Sequence, residues 1–330
     1  MTSPPHATDI LAMGDALVDV IATCDDDFLT RFDLPKGAMQ LLDEPQALAL
    51  YSAMGTARET SGGSAANSMA GAAAMGANVA FVGQVAADQL GTIFTHDMRA
   101  LGVRFETAPL TEGPSTGRCL ILVTPDGERT MNTCPGAAHC LPTAAVDEAA
   151  VRAASILYLE GYLFGPERSR AAMLKAIDIA HAAERTVAFT LSESVCLPGR
   201  KEPLQQLIAA GGIDLIFANE SEALQLAGAA DLDGAIARLS SQVGTLVFTR
   251  GPAGAVAYEN GTKTEVPAIS VPQVVDTTGA GDLFAAGFLA ARCRGHGVER
   301  QLKTGGIAAA EIISHFGARP VADLAELAKL

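Results

Sequence analysis

The chain predicts an α/β protein with a mainly parallel sheet covered by helices on both faces. From residue 143 onward, short runs rich in branched apolar residues (156–159, 186–191, 215–218 and 245–249) alternate with helical patterns at 167–183, 220–226 and 232–240. That alternation is the texture of βαβ crossovers. Between residues 104 and 133 the pattern turns to β, a short interlude inside the α/β chain. The 330 residues, 49% hydrophobic and 18% charged, are enough to bury a full core.

A polar tail precedes residue 10, and residues 10–21 read as one apolar strand with two inward-looking acids, Asp15 and Asp19. A segment with Gly37 and Gln40 leads to a helical pattern over 44–54 that Gly55 stops. Residues 58–61 look extended and run into Gly62-Gly63-Ser64, after which a small-residue helix covers 65–75. A strand at 78–85 and a helix at 91–101 follow. Strands at 118–124 and 129–133 flank the turn Pro125-Asp126-Gly127. The last third closes in helices at 280–294, 299–316 and 321–329. With no internal repeat or low-complexity linker, one three-layer αβα domain over 1–330 is expected. A small β lid, built from about 15–61 and 104–133, projects from it.

Composition narrows the partners. A net charge of −14 disfavours nucleic acid and anionic membrane, which need clustered Lys and Arg. Without Trp, and with 5% aromatics, a stacking surface for single-stranded nucleic acid is not expected. The six cysteines are scattered with no CxxC pair and read as reduced, buried small hydrophobes. The six histidines form no HxxxH spacing, so no transition-metal site is proposed. Residues 1–9 have neither a cationic start nor an apolar run, and no apolar stretch reaches membrane-spanning length, so the cytoplasm is the expected compartment.

Two glycine-rich segments carry the chemistry. In Asp276-Thr277-Thr278-Gly279-Ala280-Gly281-Asp282 the small residues leave backbone N–H groups unobstructed at the start of an apolar helix. A helix N-terminus with free amides favours an anion. Asp282 falls in the first turn beside that anion hole, where it can take a proton from an acceptor hydroxyl during phosphoryl transfer. Read alone, the segment is equally a Gly-rich helix entry with a capping Asp. It is not a dinucleotide fingerprint, which needs Gly where Phe284 stands, and the window 297–304 fails as a P-loop because Leu302 replaces the second Gly. The second segment, Gly62-Gly63-Ser64-Ala65-Ala66-Asn67, opens another helix. Its glycines allow a ligand close approach, and the Asn67 amide can both donate to and accept from vicinal hydroxyls.

Together, GGSAANSMAGAAAMG and DTTGAGDLFAAGF resemble the two hallmark motifs of the ribokinase-like (pfkB) family of carbohydrate and nucleoside kinases, in the family's order. Asn219-Glu220-Ser221-Glu222 is similar to the family's NxxE motif, and Thr249-Arg250-Gly251 with Gly254 to its nucleotide loop. The resemblance covers residues 10–318. It implies the ribokinase-like fold, ATP and Mg²⁺, Asp282 as base, and an anion hole from Gly279, Ala280 and Gly281. It places Asn219 and Glu222 near Mg²⁺ through water, and Thr249, Arg250, Gly251 and Gly254 at the nucleotide. Many relatives have Lys where Arg250 stands. Asp276 and Thr278 become candidate holders of a monovalent cation, K⁺.

Several residues resemble the adenosine kinase-like branch. Asp15 and Asp19 match its substrate-binding polar pair, and Gln40-Leu41-Leu42 its Q-I-L stretch beside the base. Thr116-Gly117-Arg118-Cys119 and Gly127-Glu128-Arg129-Thr130-Met131-Asn132 match its lid segment. The resemblance implies that Arg129 reaches the transferring phosphate, while Asp19, Gly62, Gly63, Ser64 and Asn67 hold the ribose side. Leu42 and Met131 flank the base, with Tyr162 or Phe164 as aromatic partner. The expected activity is phosphorylation of the primary hydroxyl of a nucleoside, adenosine first. A sugar kinase of the same family and a non-catalytic nucleotide- or nucleoside-binding protein are the alternatives, and the intact Asp282, Gly-Ala-Gly loop and Arg129 count against the latter. Monomer and homodimer both stay open.

Overall fold

Alternation along the strands builds the layers. The computed structural model describes residues 8–192 and 199–330; most of the polar tail, with His6, and Cys196 lie outside the described residues. Its strands are β1 (Thr8–Met13), β2 (Leu17–Thr23), β3 (Met39–Leu41), β4 (Ala57–Gly62), β5 (Val79–Val82), β6 (Arg104–Phe105), β7 (Gly117–Val123), β8 (Arg129–Cys134), β9 (Ala154–Glu160), β10 (Thr186–Thr190), β11 (Leu215–Asn219), β12 (Thr245–Thr249), β13 (Ala255–Glu259) and β14 (Thr262–Val266). Nine of them form one sheet in the order β14-β13-β12-β11-β10-β9-β1-β5-β6. From β12 to β6 every pairing is parallel, and β13 and β14 add an antiparallel hairpin at one edge.

Successive residues of these strands point to opposite faces. Ile10, Ala12, Phe81, Tyr158, Phe217 and Val247 pack into one core with Ala65 and Met69 of the Ser64–Ala74 helix, Phe288 of the Ala280–Cys293 helix and Leu302 of the Val298–Ile312 helix. Leu11, Met13, Leu157, Phe189, Ile216 and Phe248 pack into a second core. Its helices, among them Glu167–Ala182, Glu220–Ala227 and Leu232–Leu239, cover the other face. This is the three-layer αβα arrangement of the ribokinase-like fold.

A second, smaller sheet is ordered β3-β8-β7-β2-β4 and holds most of the segments expected to form the lid. Two expectations are corrected here. The strand read over 10–21 is two strands in two sheets. The chain breaks at Gly14, Asp15 and Ala16, where the buried Glu160 carboxylate takes the Asp15 N–H at 2.6 Å and leaves no room for a side chain on Gly14. The β-rich interlude is also divided, because Arg104–Phe105 pairs with β5 at the edge of the large sheet. The β13–β14 hairpin and the Asp26–Arg31 helix, capped by Asp25, add to the elements read from the sequence. Among the described residues no helix is long and apolar enough to cross a membrane.

Candidate active site

The carboxyl ends of adjacent parallel strands bring the functional residues together, as is usual in open α/β sheets. Asp15 follows β1, Glu160 ends β9, Ser192 follows β10, Asn219 ends β11 and Thr249 ends β12.

Gly279 is the N-cap of the Ala280–Cys293 helix, in the left-handed region at φ 78°, and no side chain caps that terminus. An added Cβ at 279 would sit 2.8 Å from that of Ala318. Two small residues then precede Asp282, and the Ala280 N–H donates to the Thr277 carbonyl at 3.1 Å. The Asp282 carboxylate is held at both oxygens. Ser64 Oγ donates to Oδ1 at 2.6 Å, and Asn67 Nδ2 donates to Oδ2 at 2.9 Å. Both donors stand at the start of the Ser64–Ala74 helix, whose N-cap Gly63 has φ 95°; a Cβ there would collide with the Asp15 carbonyl oxygen. Burial raises the Asp282 carboxyl above its ordinary range, while the bonds from Ser64 and Asn67 and the charge of Arg319 pull it back down. Ser192 Oγ lies 2.9 Å from Ser64 Oγ and 3.3 Å from Thr190 Oγ1, extending the network to β10.

The lid reaches this loop through Arg129. Its Nη1 pairs with Asp276 Oδ2 at 2.8 Å and donates to Thr278 Oγ1 at 3.0 Å, and its guanidinium lies 5.6 Å from the Phe316 ring centre. Asp276 Oδ1 accepts the Thr278 N–H and Oδ2 the Gly317 N–H. The Asp276 carboxylate, an expected holder of a monovalent cation, thus accepts three protein donors, one of them the Arg129 guanidinium.

Between lid and sheet lies a cavity of about 180 Å³, whose lining includes Asp15, Asp19, Gly63, Ser64, Asn67, Met131, Tyr162 and Thr278. Burial pushes the Asp19 carboxyl up to about 6, against the pull of Arg319 and Arg129. Gly62 packs against that carboxylate with no room for a Cβ. Lid residues Met39, Leu41, Ile121 and Met131 give the cavity an apolar wall. Gln40 and Leu42, expected at the base, are not on it. With Met39 opposite Met131 and Leu41 opposite Thr133, period-two alternation turns the even positions away. Gln40 Nε2 bonds Asn132 Oδ1 at 2.8 Å, and Leu42 packs against the core. Phe164 is likewise in the core, edge-on to Phe189 at 5.8 Å, whereas Tyr162 lines the cavity.

At the neighbouring strand ends, Asn219 and Glu222 form a reciprocal capping box. Asn219 Oδ1 accepts the Glu222 N–H at 2.9 Å, and Glu222 Oε2 accepts the Asn219 N–H at 2.9 Å. Thr249 pairs in register with Asn219. Arg250 lies 3.5 Å from Glu265 and 3.9 Å from Glu220, while Gly251 and Gly254 take positive φ in the adjoining turn.

Besides Ser192, Met39 and Ile121, four ionisable residues of the site escaped the sequence reading. Glu160, fully buried, accepts the Asp15 and Ala65 N–H groups at 2.6 and 2.7 Å, and burial raises its carboxyl well above the usual range. The signal available was an acid at the carboxyl end of a parallel strand. His139, with Nε2 3.4 Å from Asp15 Oδ2, and Arg200 line the cavity. Arg319 Nη1 donates to Asn67 Oδ1, and its Nη2 donates to the Ser61 carbonyl at 2.6 Å and to Ser61 Oγ at 3.0 Å. It lies just past the segment that carries the motifs, and nothing in its sequence neighbourhood marks it.

With this geometry in view, the model of the pfkB family carbohydrate kinases matches residues 43–324, and the chain belongs to that family. It is a kinase, a phosphotransferase with an alcohol acceptor, similar to the adenosine kinases. The adenosine kinase from Sinorhizobium meliloti superposes with a TM-score of 0.91 at 44% identity, covering 98% of this chain and 99% of that one. A probable sugar kinase protein from Rhizobium etli CFN 42 gives 0.91 at 43% identity over 98% of each chain. Among curated relatives, adenosine kinase 2 of Arabidopsis thaliana is 27% identical over 336 residues, 93% of this chain and 94% of that protein.

Proposed function

We propose that this kinase transfers the γ-phosphate of ATP to the 5′-hydroxyl of a nucleoside, adenosine first, with Asp282 as general base. The observation that carries the reading is the Asp282 carboxylate, aligned by Ser64 and Asn67 in the first turn of an uncapped helix beside the cavity. An acceptor hydroxyl at the cavity's inner end donates its proton to Asp282 as its oxygen attacks. Developing phosphoryl charge falls on the amides of Gly279, Ala280 and Gly281, with Arg129 at the loop supplying a planar cation.

Asp19 is the grip for the vicinal diol. Asn67 joins it through the second N–H of its amide, the first being committed to Asp282. The apolar wall of Met39, Leu41, Ile121 and Met131 favours a nucleoside over a free sugar, since a sugar would leave that surface against water. ATP is assigned to the ends of β11 and β12, with Thr249, Arg250, Gly251 and Gly254. The donor set there fits Mg²⁺, which Glu222 and Asn219 would hold through water, where it would neutralise phosphate charge. The capping box fixes both side chains at the start of the Glu220–Ala227 helix.

The test is a coupled ADP-release assay with Mg-ATP, with and without K⁺, against adenosine, guanosine, inosine, ribose and fructose. Strong turnover on adenosine is expected, and the arms with and without K⁺ test the monovalent-cation expectation. Turnover confined to a free sugar would overturn the nucleoside assignment, and none on any acceptor would favour a binding protein.

A further inference from the structure

We propose that Arg319 is a positioning residue for the phosphotransfer, fixing the Asn67 amide so that its N–H faces the Asp282 base. This inference rests on the reading of Asp282 as base. A primary amide presents an acceptor on one side and donors on the other, and either can face a neighbour after a half-turn of the side chain. A guanidinium has donors only, so the atom of Asn67 facing Arg319 must be Oδ1. The N–H side is thereby left to Asp282 Oδ2, at 2.9 Å. Without Arg319 the amide is held from the Asp282 side alone, and the bond that helps aim the base loses its second anchor.

Arg319 is itself anchored. Its second nitrogen holds the Ser61 carbonyl and hydroxyl, and Ser61 N–H in turn donates to Asp97 Oδ2 at 3.0 Å. The C-terminal segment thus clamps the end of lid strand β4 and the start of the Ser64–Ala74 helix at one point.

The buried guanidinium also sets the local charge. It faces Asp282 from the Ala280–Cys293 helix, Asp19 from β2 and Asp97 from the Gln89–Ala100 helix. The charge of Asp282 is in turn felt by Asp19 on β2 and by Tyr158 and Glu160 on β9. Among these groups Arg319 is the cation acting on Asp282, and its removal leaves only hydrogen bonds against the burial that raises that carboxyl.

The experiment compares Arg319→Gln and Arg319→Lys with wild type in full pH profiles of kcat/KM for adenosine and in KM for ATP. Arg319→Gln is expected to lose about 10²-fold in kcat through misalignment, with ATP KM little changed. Its acid limb should move up in pH, because the lost cation had favoured the ionised carboxylate. Arg319→Lys retains the charge and should keep the limb near wild type, yet lose kcat because one ammonium cannot span Asn67 and Ser61. In an Asn67→Ala background, Arg319→Gln should cost much less than alone. A wild-type profile, or a loss of kcat with an unmoved limb in the Gln variant, overturns the proposal. If the Gln variant does not fold, wild-type kcat in the Lys variant overturns it instead. Asp282→Asn separates the two claims: turnover by that variant defeats the base assignment, whereas an inactive Asp282→Asn beside a wild-type Arg319→Gln defeats this inference alone.

Discussion

Arg129 and Asp276 form a buried ion pair across the boundary between lid and sheet, with Nη1 and Oδ2 2.8 Å apart. The pair ties the second strand of the β7–β8 hairpin to the loop that opens the helix of Asp282. The same guanidinium bonds Thr278, one residue before Gly279, which puts a planar cation at the mouth of the loop.

Removing that cation should therefore depress the chemical step. Arg129→Ala is expected to lower kcat by about 10²–10³-fold, the scale seen for loss of one well-aimed transition-state donor. Arg129→Lys should recover only part of this, since a point charge cannot hold Asp276 and Thr278 together. Steady-state kinetics on adenosine checks both, and a near-normal kcat in Arg129→Ala would contradict the role.

Asn67→Ala should raise KM for the acceptor well above any change in KM for ATP, and lower kcat as Asp282 loses one of its two donors. Equal effects on both KM values would argue against an acceptor contact.

Asp19 sets a pH dependence of known sign. Its carboxyl is raised from an ordinary value near 3.8 to about 6 by burial. With Asp19 gripping the acceptor as the ionised carboxylate, as proposed, KM should climb as pH falls through 6, by about tenfold one unit below that value. Stability runs the other way. Between about 4 and 6 the folded chain holds a proton that the unfolded chain has released, so this group's contribution falls as pH rises. Asp19→Asn should flatten both trends while raising KM at pH 8, measured by kinetics and by thermal melts across pH.

Gly63→Ala tests the backbone. A side chain there meets both a φ of 95° and the Asp15 carbonyl oxygen. Destabilisation of at least about 1–3 kcal/mol by urea unfolding is expected. Loss of acceptor affinity should accompany it; a fully stable, fully active variant would show that the turn tolerates a Cβ.

Much of this was legible because glycine and strand chemistry are local. Gly279 and Gly63, each in a backbone conformation few residues adopt, mark the two helix entries, and branched runs such as residues 245–249 become the strands they suggest. What was not legible is set by distant partners. The break at Gly14 depends on Glu160, 145 residues from the Asp15 amide it receives. The facing of Gln40 and Leu42 depends on the register with β8, where a shift of one exchanges the two faces of a strand. Arg319 acquires its part only because the fold brings it to Asn67 and Ser61.

The central claim is that Asp282 takes the proton from the acceptor hydroxyl, and single-turnover phosphate transfer to adenosine by Asp282→Asn tests it most directly. Transfer at least about 10²–10⁴-fold slower than wild type, on the scale of a lost general base, is expected, with ATP affinity nearly unchanged. Transfer at a wild-type rate would contradict it.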